Sequence, residues 1–521
     1  MKEKSELPRA AGILLHPTSL NTPFGIGDFG SQAFEFIKFL KDAGMKFWQI
    51  LPLGPTGYGD SPYQCLSSFA GNPLLIAPDG LINIGLITDK EIFEIIHEEK
   101  SPNFGEKDIY SWRRDIRIQY EKVINRKNKI LQVAFENFLE KKNSEFKDYS
   151  KDFTEFCAKE AYWLDDFVLF YALKQNYDLK SWIEWPAEHA NRVQNPLRVW
   201  AVSHQKKLDF MKFVQWIFFK QWDQLKKFAN KNDILIIGDC PIFVAHDSAD
   251  VWAHREFFTV DENGKLIYQA GVPPDYFSES GQLWGNPLYI WDELEKHNFD
   301  WLIKRFEHQF RFFDYIRLDH FRGFEAYWRV DAKEKTAING QWIKAPGEQF
   351  FKVLLEKHGT LPIIAEDLGI ITPEVDALRH KFGFPGMRVL QFAFGSDAKN
   401  PHLPHNFEKN SVVYTGTHDN NTTLGWWLDN SIKKEKEYAS KYLNSDGSMI
   451  VADFIRVLYQ SIANLVIIPM QDLLGEGTDA RMNVPSTTAG NWQYIMPLDG
   501  MKKEKAEFLK TLCEIYGRNS L

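Results

Sequence analysis

The sequence predicts a (β/α)8 barrel with large, mainly helical insertions on its catalytic face, and three observations predict it. Short apolar runs bounded by Gly, Pro or Asp recur eight times along the 521 residues. Amphipathic stretches separate many of those runs. Acidic residues stand at the ends of four of them. Strands alternating with helices argue for a parallel sheet, and eight such units close into a barrel whose active site lies at the C-terminal ends of the strands.

The eight runs, in order, are "GILLHP" from Gly12, "KFWQILPL" from Lys46, "ILIIGD" from Ile234, "DYIRLD" from Asp314, "PIIAED" from Pro362, "MRVLQF" from Met387, "SVVYTG" from Ser411 and "LVIIPM" from Leu465. Helical spacing of apolar residues marks "SQAFEFIKFLKDAG", "MKFVQWIFFKQWDQLKKFA", "GEQFFKVLLEKHG" and "MIVADFIRVLYQSIANL", several of which end near Gly or Asn. The gaps are uneven. Residues 54–201 read as an insertion between the second and third strands, much of it charged amphipathic helix such as "EKVINRKNKILQVAFENFLEKK". Residues 240–300 read as a second insertion, between the third and fourth strands, carrying a loop rich in Gly, Pro and rings. No repeat, low-complexity tract or linker divides the chain, so residues 1–521 are expected to form one elaborated unit.

Composition narrows the function. A net charge of −8 without basic blocks argues against nucleic acid. The start "MKEKSELPRAAG" has no apolar signal core, and the longest apolar runs fall far short of a bilayer, so neither secretion nor membrane insertion is expected. Four widely spaced cysteines, with no C-x-x-C, read as reduced thiols of a cytoplasmic protein. An aromatic content of 15% serves either a large core or flat surfaces for sugar rings.

The acidic strand ends carry the chemistry. They are Asp239 after the third strand, Asp319 after the fourth, Glu366 and Asp367 after the fifth, and His418-Asp419 after the seventh. In "DYIRLDHFRGF", Arg317 and Asp319 share a strand face, which keeps the carboxylate ionised. Alone, that pair reads as a structural ion pair or as a nucleophile. Glu366 has no neighbouring cation in sequence and has Asp367 beside it, so a like charge and partial burial are expected to raise its pKa, as a general acid requires. Two carboxylates across a cleft suit glycosidic bond chemistry. Asp239 is read either as a site residue or as a structural one that caps a loop or braces Arg317, and His418 as a donor or a rim histidine. A metallohydrolase would need a spacing such as H-x-H or H-E-x-x-H, which is missing; no metal or cofactor is expected.

The motifs "GDCPIFV", "YIRLDHFRGF", "IIAEDLG" and "TGTHDN" resemble the four signature regions of the α-amylase superfamily, and more narrowly those of the amylomaltases, the 4-α-glucanotransferases or disproportionating enzymes. The likeness runs from "AGILLHPTSLNTPFGIGDFG" and "WQILPLGPTGYGDSPYQCLSSFAGNP" through "AGVPPDYFSESGQLWGNPLY" to "DLLGEGTDARMNVPSTTAGNWQYI". The resemblance implies retaining transfer of α-1,4-glucan segments to the 4-hydroxyl of another glucan or glucose. It implies Asp319 as nucleophile, Glu366 as general acid/base and Asp419 as transition-state stabiliser. It also implies Tyr63, Asp239, Arg317 and His418 around the sugar, and a loop over the cleft carrying Tyr276, Phe277, Gln282 and Trp284. Cys240 and His246 depart from the family's pattern beside the third-strand motif. Such a hinged loop would hold the acceptor and exclude water.

Overall fold

The computed structural model describes residues 7–98, 117–142, 144–274, 278–487 and 489–519. Eight parallel strands run in the order β10-β11-β12-β1-β2-β3-β6-β9. They are β1 (Ala10–Leu14), β2 (Phe47–Gln49), β3 (Leu235–Cys240), β6 (Tyr315–Leu318), β9 (Ile363–Ala365), β10 (Gly386–Val389), β11 (Ser411–Tyr414) and β12 (Leu465–Pro469). Each coincides with one of the eight runs marked in the sequence. Between β9 and β10 the Ala365 N–H donates to the Pro385 carbonyl at 2.9 Å, which brings the two ends of the sheet together. The sheet is thus a nearly closed (β/α)8 barrel. Its strands read as unbroken apolar runs because helices or the barrel interior cover both faces; all five residues of β12 are buried.

Hydrogen bonding continues past the strand ends at the site's rim. The Asp319 N–H donates to the Cys240 carbonyl at 3.0 Å and the Glu366 N–H to the Leu318 carbonyl at 3.1 Å. The two carboxyl residues therefore stand on backbone still fixed by the barrel. A glycine is required at 386, because a Cβ there would sit 2.4 Å from an Asp367 carboxylate oxygen.

The long segment after β2 carries helices Tyr120–Lys141 and Lys147–Asn176, packed against helix Gln205–Lys231. Two buried glutamines of that last helix clamp the loop after β2. Gln215 both accepts from the Gly71 N–H and donates to its carbonyl, at 2.8 and 2.9 Å; Gln221 does the same to Ala77, at 2.7 and 3.0 Å. Both backbone groups of each loop residue are satisfied without regular structure, and the loop that bears Tyr63 is held.

A second sheet stands over the barrel mouth. It is antiparallel, in the order β5-β4-β7-β8, from β4 (Tyr268–Val272), β5 (Gln282–Pro287), β7 (Ala326–Asp331) and β8 (Gly340–Lys344). The segment expected to be a loop from Gly271 is instead largely strand: Gly271 pairs with Leu283 and Val272 with Gln282. Tyr276 and Phe277 lie outside the described residues. The other two strands come from a different connection, between β6 and β9, so the small sheet joins two segments of chain on either side of the "DYIRLD" strand.

Candidate active site

Arg317 is the centre of the site. Its register partner on the neighbouring strand is Asp239. One guanidinium nitrogen, Nη1, donates to both Asp239 oxygens at 2.9 and 2.7 Å, and Nη2 lies 2.7 Å from Asp319 Oδ1. Burial opposes the Arg317 charge, but Asp239 and Asp319 outweigh it and hold the group well above its usual pKa. Asp239 is buried and takes a further bond from the Tyr63 hydroxyl at 2.8 Å. Burial raises its proton affinity and Arg317 opposes that rise. Asp239 thus braces Arg317. The Asp319 side chain remains 30% exposed, open to the cleft, while Arg317 and Asp239 are buried.

Glu366 faces the same space. Its Oε2 accepts the His320 N–H and its Oε1 the Leu368 N–H, both at 2.8 Å. Its pKa is pushed up to about 7, first by burial and then by Asp319, with Arg317 opposing. Arg317 reaches Glu366 electrostatically from the next strand, and the like charge of Asp367 adds a small rise, because its carboxylate turns away from the cleft. Asp367 accepts from the Met387 N–H at 2.6 Å and from Arg388 at 3.0 Å, with Arg379 at 3.4 Å.

The opposite wall is built by the seventh barrel strand and the C-terminal segment. His418 lies 3.3 Å from Asp419 Oδ2, and Asn483 donates to Asp419 Oδ1 at 2.6 Å. Burial acts against the Asp419 charge, but His418 and Asn483 outweigh it and drive the carboxyl well below its usual range. The same pairing overcomes burial and raises His418. Tyr63 stacks on the His418 ring at 5.1 Å and 14°, and Trp492 leans on both. Gln282 and Trp284 share a bond, Trp284 Nε1 to Gln282 Oε1 at 3.3 Å, and the Trp284 ring meets His320 edge-on at 4.8 Å. Of the residues singled out in sequence, all but Tyr276 and Phe277 have described positions: Arg317 binds Asp239 and Asp319, His418 binds Asp419, and Tyr63 bridges the two groups. Among the described residues, no group of three or more His, Cys, Asp or Glu is arranged to hold a metal ion.

A family model described as 4-alpha-glucanotransferase matches residues 15–499. The chain belongs to this family, glycoside hydrolase family 77. It is 46% identical over 516 residues to the 4-alpha-glucanotransferase of Synechocystis sp. (strain ATCC 27184 / PCC 6803 / Kazusa), covering 98% of both chains. It is 45% identical to that of Thermus thermophilus, covering 98% of this chain and 99% of that one. Among solved structures it resembles an amylomaltase from Streptococcus agalactiae in complex with acarbose, with a TM-score of 0.90, 37% identity, and 98% and 99% of the two chains covered. Its activity is that of the family, the transfer of 4-α-glucan segments. No described helix is long and apolar enough to cross a membrane.

The residues that sequence reasoning missed are those whose role lies in the backbone or far along the chain. His320 has a φ of +50°, a left-handed conformation rare for a residue with a Cβ; that kink turns its N–H onto Glu366. Burial lowers its ring pKa to about 4, so the imidazole stays neutral. Asn483 and Trp492 lie in the closing motif "DARMNVPSTTAGNWQYI", where the resemblance flagged the segment but no spacing assigned a partner.

Proposed function

We propose that Asp319 is the nucleophile of this transfer, that Glu366 is its general acid and then its base, and that donor and acceptor are α-1,4-glucans and maltooligosaccharides. An Asp319 carboxylate oxygen attacks the anomeric carbon. The glycosidic C–O bond breaks, and Glu366 delivers its proton to the departing 4-oxygen. The acceptor 4-hydroxyl then gives its proton to the Glu366 carboxylate and attacks the same carbon, and the bond to Asp319 breaks. Two displacements retain the configuration. Asp419, paired with His418 and Asn483, stays ionised beside the flattening sugar and stabilises its positive charge. Tyr63, Arg317 and His418 border that sugar, while Asp239 holds Arg317. Gln282 and Trp284 on β5 line the mouth, and Tyr276 and Phe277 are assigned to glucan binding with them. Water at ~55 M competes with the acceptor. Transfer wins where the acceptor is positioned, since effective molarities reach ~10⁵ M or more.

The single observation behind these roles is the unequal pair at the mouth. Asp319 is held 2.7 Å from a buried guanidinium, whereas Glu366 has its pKa pushed up to about 7. Maltotriose alone is the test. The protein is expected to yield glucose and a ladder of longer chains with little gain in reducing ends, and Asp319→Asn is expected to yield neither. A ladder made by the Asn variant rules out the nucleophile, and glucose plus maltose with no longer product rules out transfer.

A further inference from the structure

The turn after Asp319 reaches outward as well as toward Glu366. Arg322, three residues on, donates from Nη1 to the carbonyl of Ile370, in the loop that follows Glu366. Its guanidinium carbon sits over the Trp342 ring, 3.6 Å from the centroid. Trp342 is on β8, the edge strand of the small sheet, opposite Trp328 on β7. Trp328 packs against it at 5.1 Å and 63° and is itself fixed, its Nε1 donating to the Ala337 carbonyl at 2.9 Å. Gly340 leaves room for Trp328, since a Cβ there would sit 2.3 Å from its ring. Trp342 is thus braced from two sides, yet 37% of it is exposed, and exposed Ile370 lies on the same arginine.

The position of this ring follows from the chemistry of the site. A general acid stands beside the leaving group that it protonates. The acceptor must occupy that place in the second step, because the same carboxylate takes its proton. The loop Leu368 to Ile370 follows Glu366 directly, and its Leu368 N–H holds the carboxylate, so this loop borders the place of leaving group and acceptor. Arg322 ties Trp342 to the Ile370 carbonyl in that loop. A flat ring already immobilised offers stacking area at little cost in lost side-chain freedom.

We propose that Trp342 is a stacking platform for the outer glucose units of a linear α-1,4-glucan acceptor. The proposal rests on the assignment of Glu366 above. The occupant is a glucan because Arg322 joins the ring to the loop that directly follows the general acid. A glucose acceptor fills only the place next to Glu366, while longer acceptors extend toward the ring.

The experiment uses a maltooligosaccharide donor blocked at its non-reducing end, so that it cannot accept, with acceptors of increasing length from glucose to maltotetraose. The readout is the acceptor KM for each length relative to that for glucose. In the native protein KM falls as the acceptor lengthens. In Trp342→Ala that gain is lost, by about five- to tenfold for the longest acceptor, and Trp342→Tyr keeps most of it. Where the Ala variant does not fold, Trp342→Leu, which still packs on Arg322 but has no flat face, gives the same loss. A native KM independent of acceptor length, an unchanged KM ratio in Ala or Leu, or a Tyr variant as impaired as Ala overturns the proposal. Absence of transfer from the native protein to any acceptor would overturn instead the roles given to Asp319 and Glu366.

Discussion

Arg317 keeps two carboxylates within 3 Å of one guanidinium while a third, Glu366, feels the same charge from farther off. The outcome is set by burial. Asp319 opens to the cleft beside its cation, whereas Glu366, bonded by two N–H groups, still has its pKa pushed from the ordinary 4.5 to about 7. The first step needs Glu366 protonated. Donor kcat/KM is therefore expected to be level below pH 7 and to fall up to tenfold per unit above it, read from initial rates between pH 5 and 9. An activity that rises steadily to pH 9 contradicts the acid role. His320 supplies the second residue-scale prediction. Its left-handed φ of +50° suits glycine and disfavours a β-branched side chain by about 1–3 kcal/mol. His320→Gly should keep the N–H on Glu366, whereas His320→Val should displace it and lower kcat about tenfold further than Gly does. Equal losses in the two variants would mean that the imidazole ring, and not the backbone turn, is what matters.

Elements were legible in proportion to how apolar and continuous they are. The eight barrel strands stood out because both of their faces are covered, leaving runs such as "LVIIP" unbroken. The small sheet was not legible. Its strands "QLWGNP", "AYWRVD" and "GQWIK" mix Gly, charge and tryptophan, and they pair across segments that another barrel strand separates in the chain. The acidic strand ends could be read because a parallel barrel aligns those ends, and Asp239 facing Arg317 follows from adjacent strands in register. Nothing in a histidine codon announces a positive φ, and nothing in the spacing joins Asn483 to Asp419. The anchoring of the inserted helix was equally hidden. Lys127 on helix Tyr120–Lys141 is buried against Asp28 in the segment that follows β1, at 2.7 Å, and donates to the Ile76 carbonyl at 2.6 Å. Burial pushes Asp28 up to about 6 even so. Lys127→Met strands that carboxylate and is expected to cost about 3–5 kcal/mol in guanidinium unfolding, with much of the loss recovered when Asp28→Asn is added. Additive effects in the double variant would show that the two groups do not depend on each other.

At the scale of the whole molecule, the barrel puts chemistry at one end and closure at the other. β1 pairs with β12, and Arg518, buried near the C-terminus, ties that seam at the N-terminal ends of the strands. It donates to the carbonyls of Ala10, Leu458, Tyr459, Ser461, Ala463 and Asn464. Burial lowers its pKa to about 9, with Arg9 adding to the shift. Arg518→Leu removes these six hydrogen bonds, leaving Arg9 alone on the carbonyls of Tyr459, Ser461 and Ala463, and is expected to destabilise the fold by about 1–3 kcal/mol. Maltotriose turnover per folded molecule should stay the same, because the acids sit at the opposite ends of the strands. A variant as stable as the native protein would show that the seam holds without this residue.

If Asp319 bonds to the sugar while Glu366 handles the proton, mass spectrometry can catch the intermediate on Asp319. Glu366→Gln is incubated with α-maltosyl fluoride, whose leaving group departs without acid help, and the protein is digested at low pH. A maltosyl group is expected on the peptide containing Asp319, with the α configuration regained in any product released. A sugar bound to a different carboxylate, or a β-configured product with no adduct, would contradict the role of Asp319.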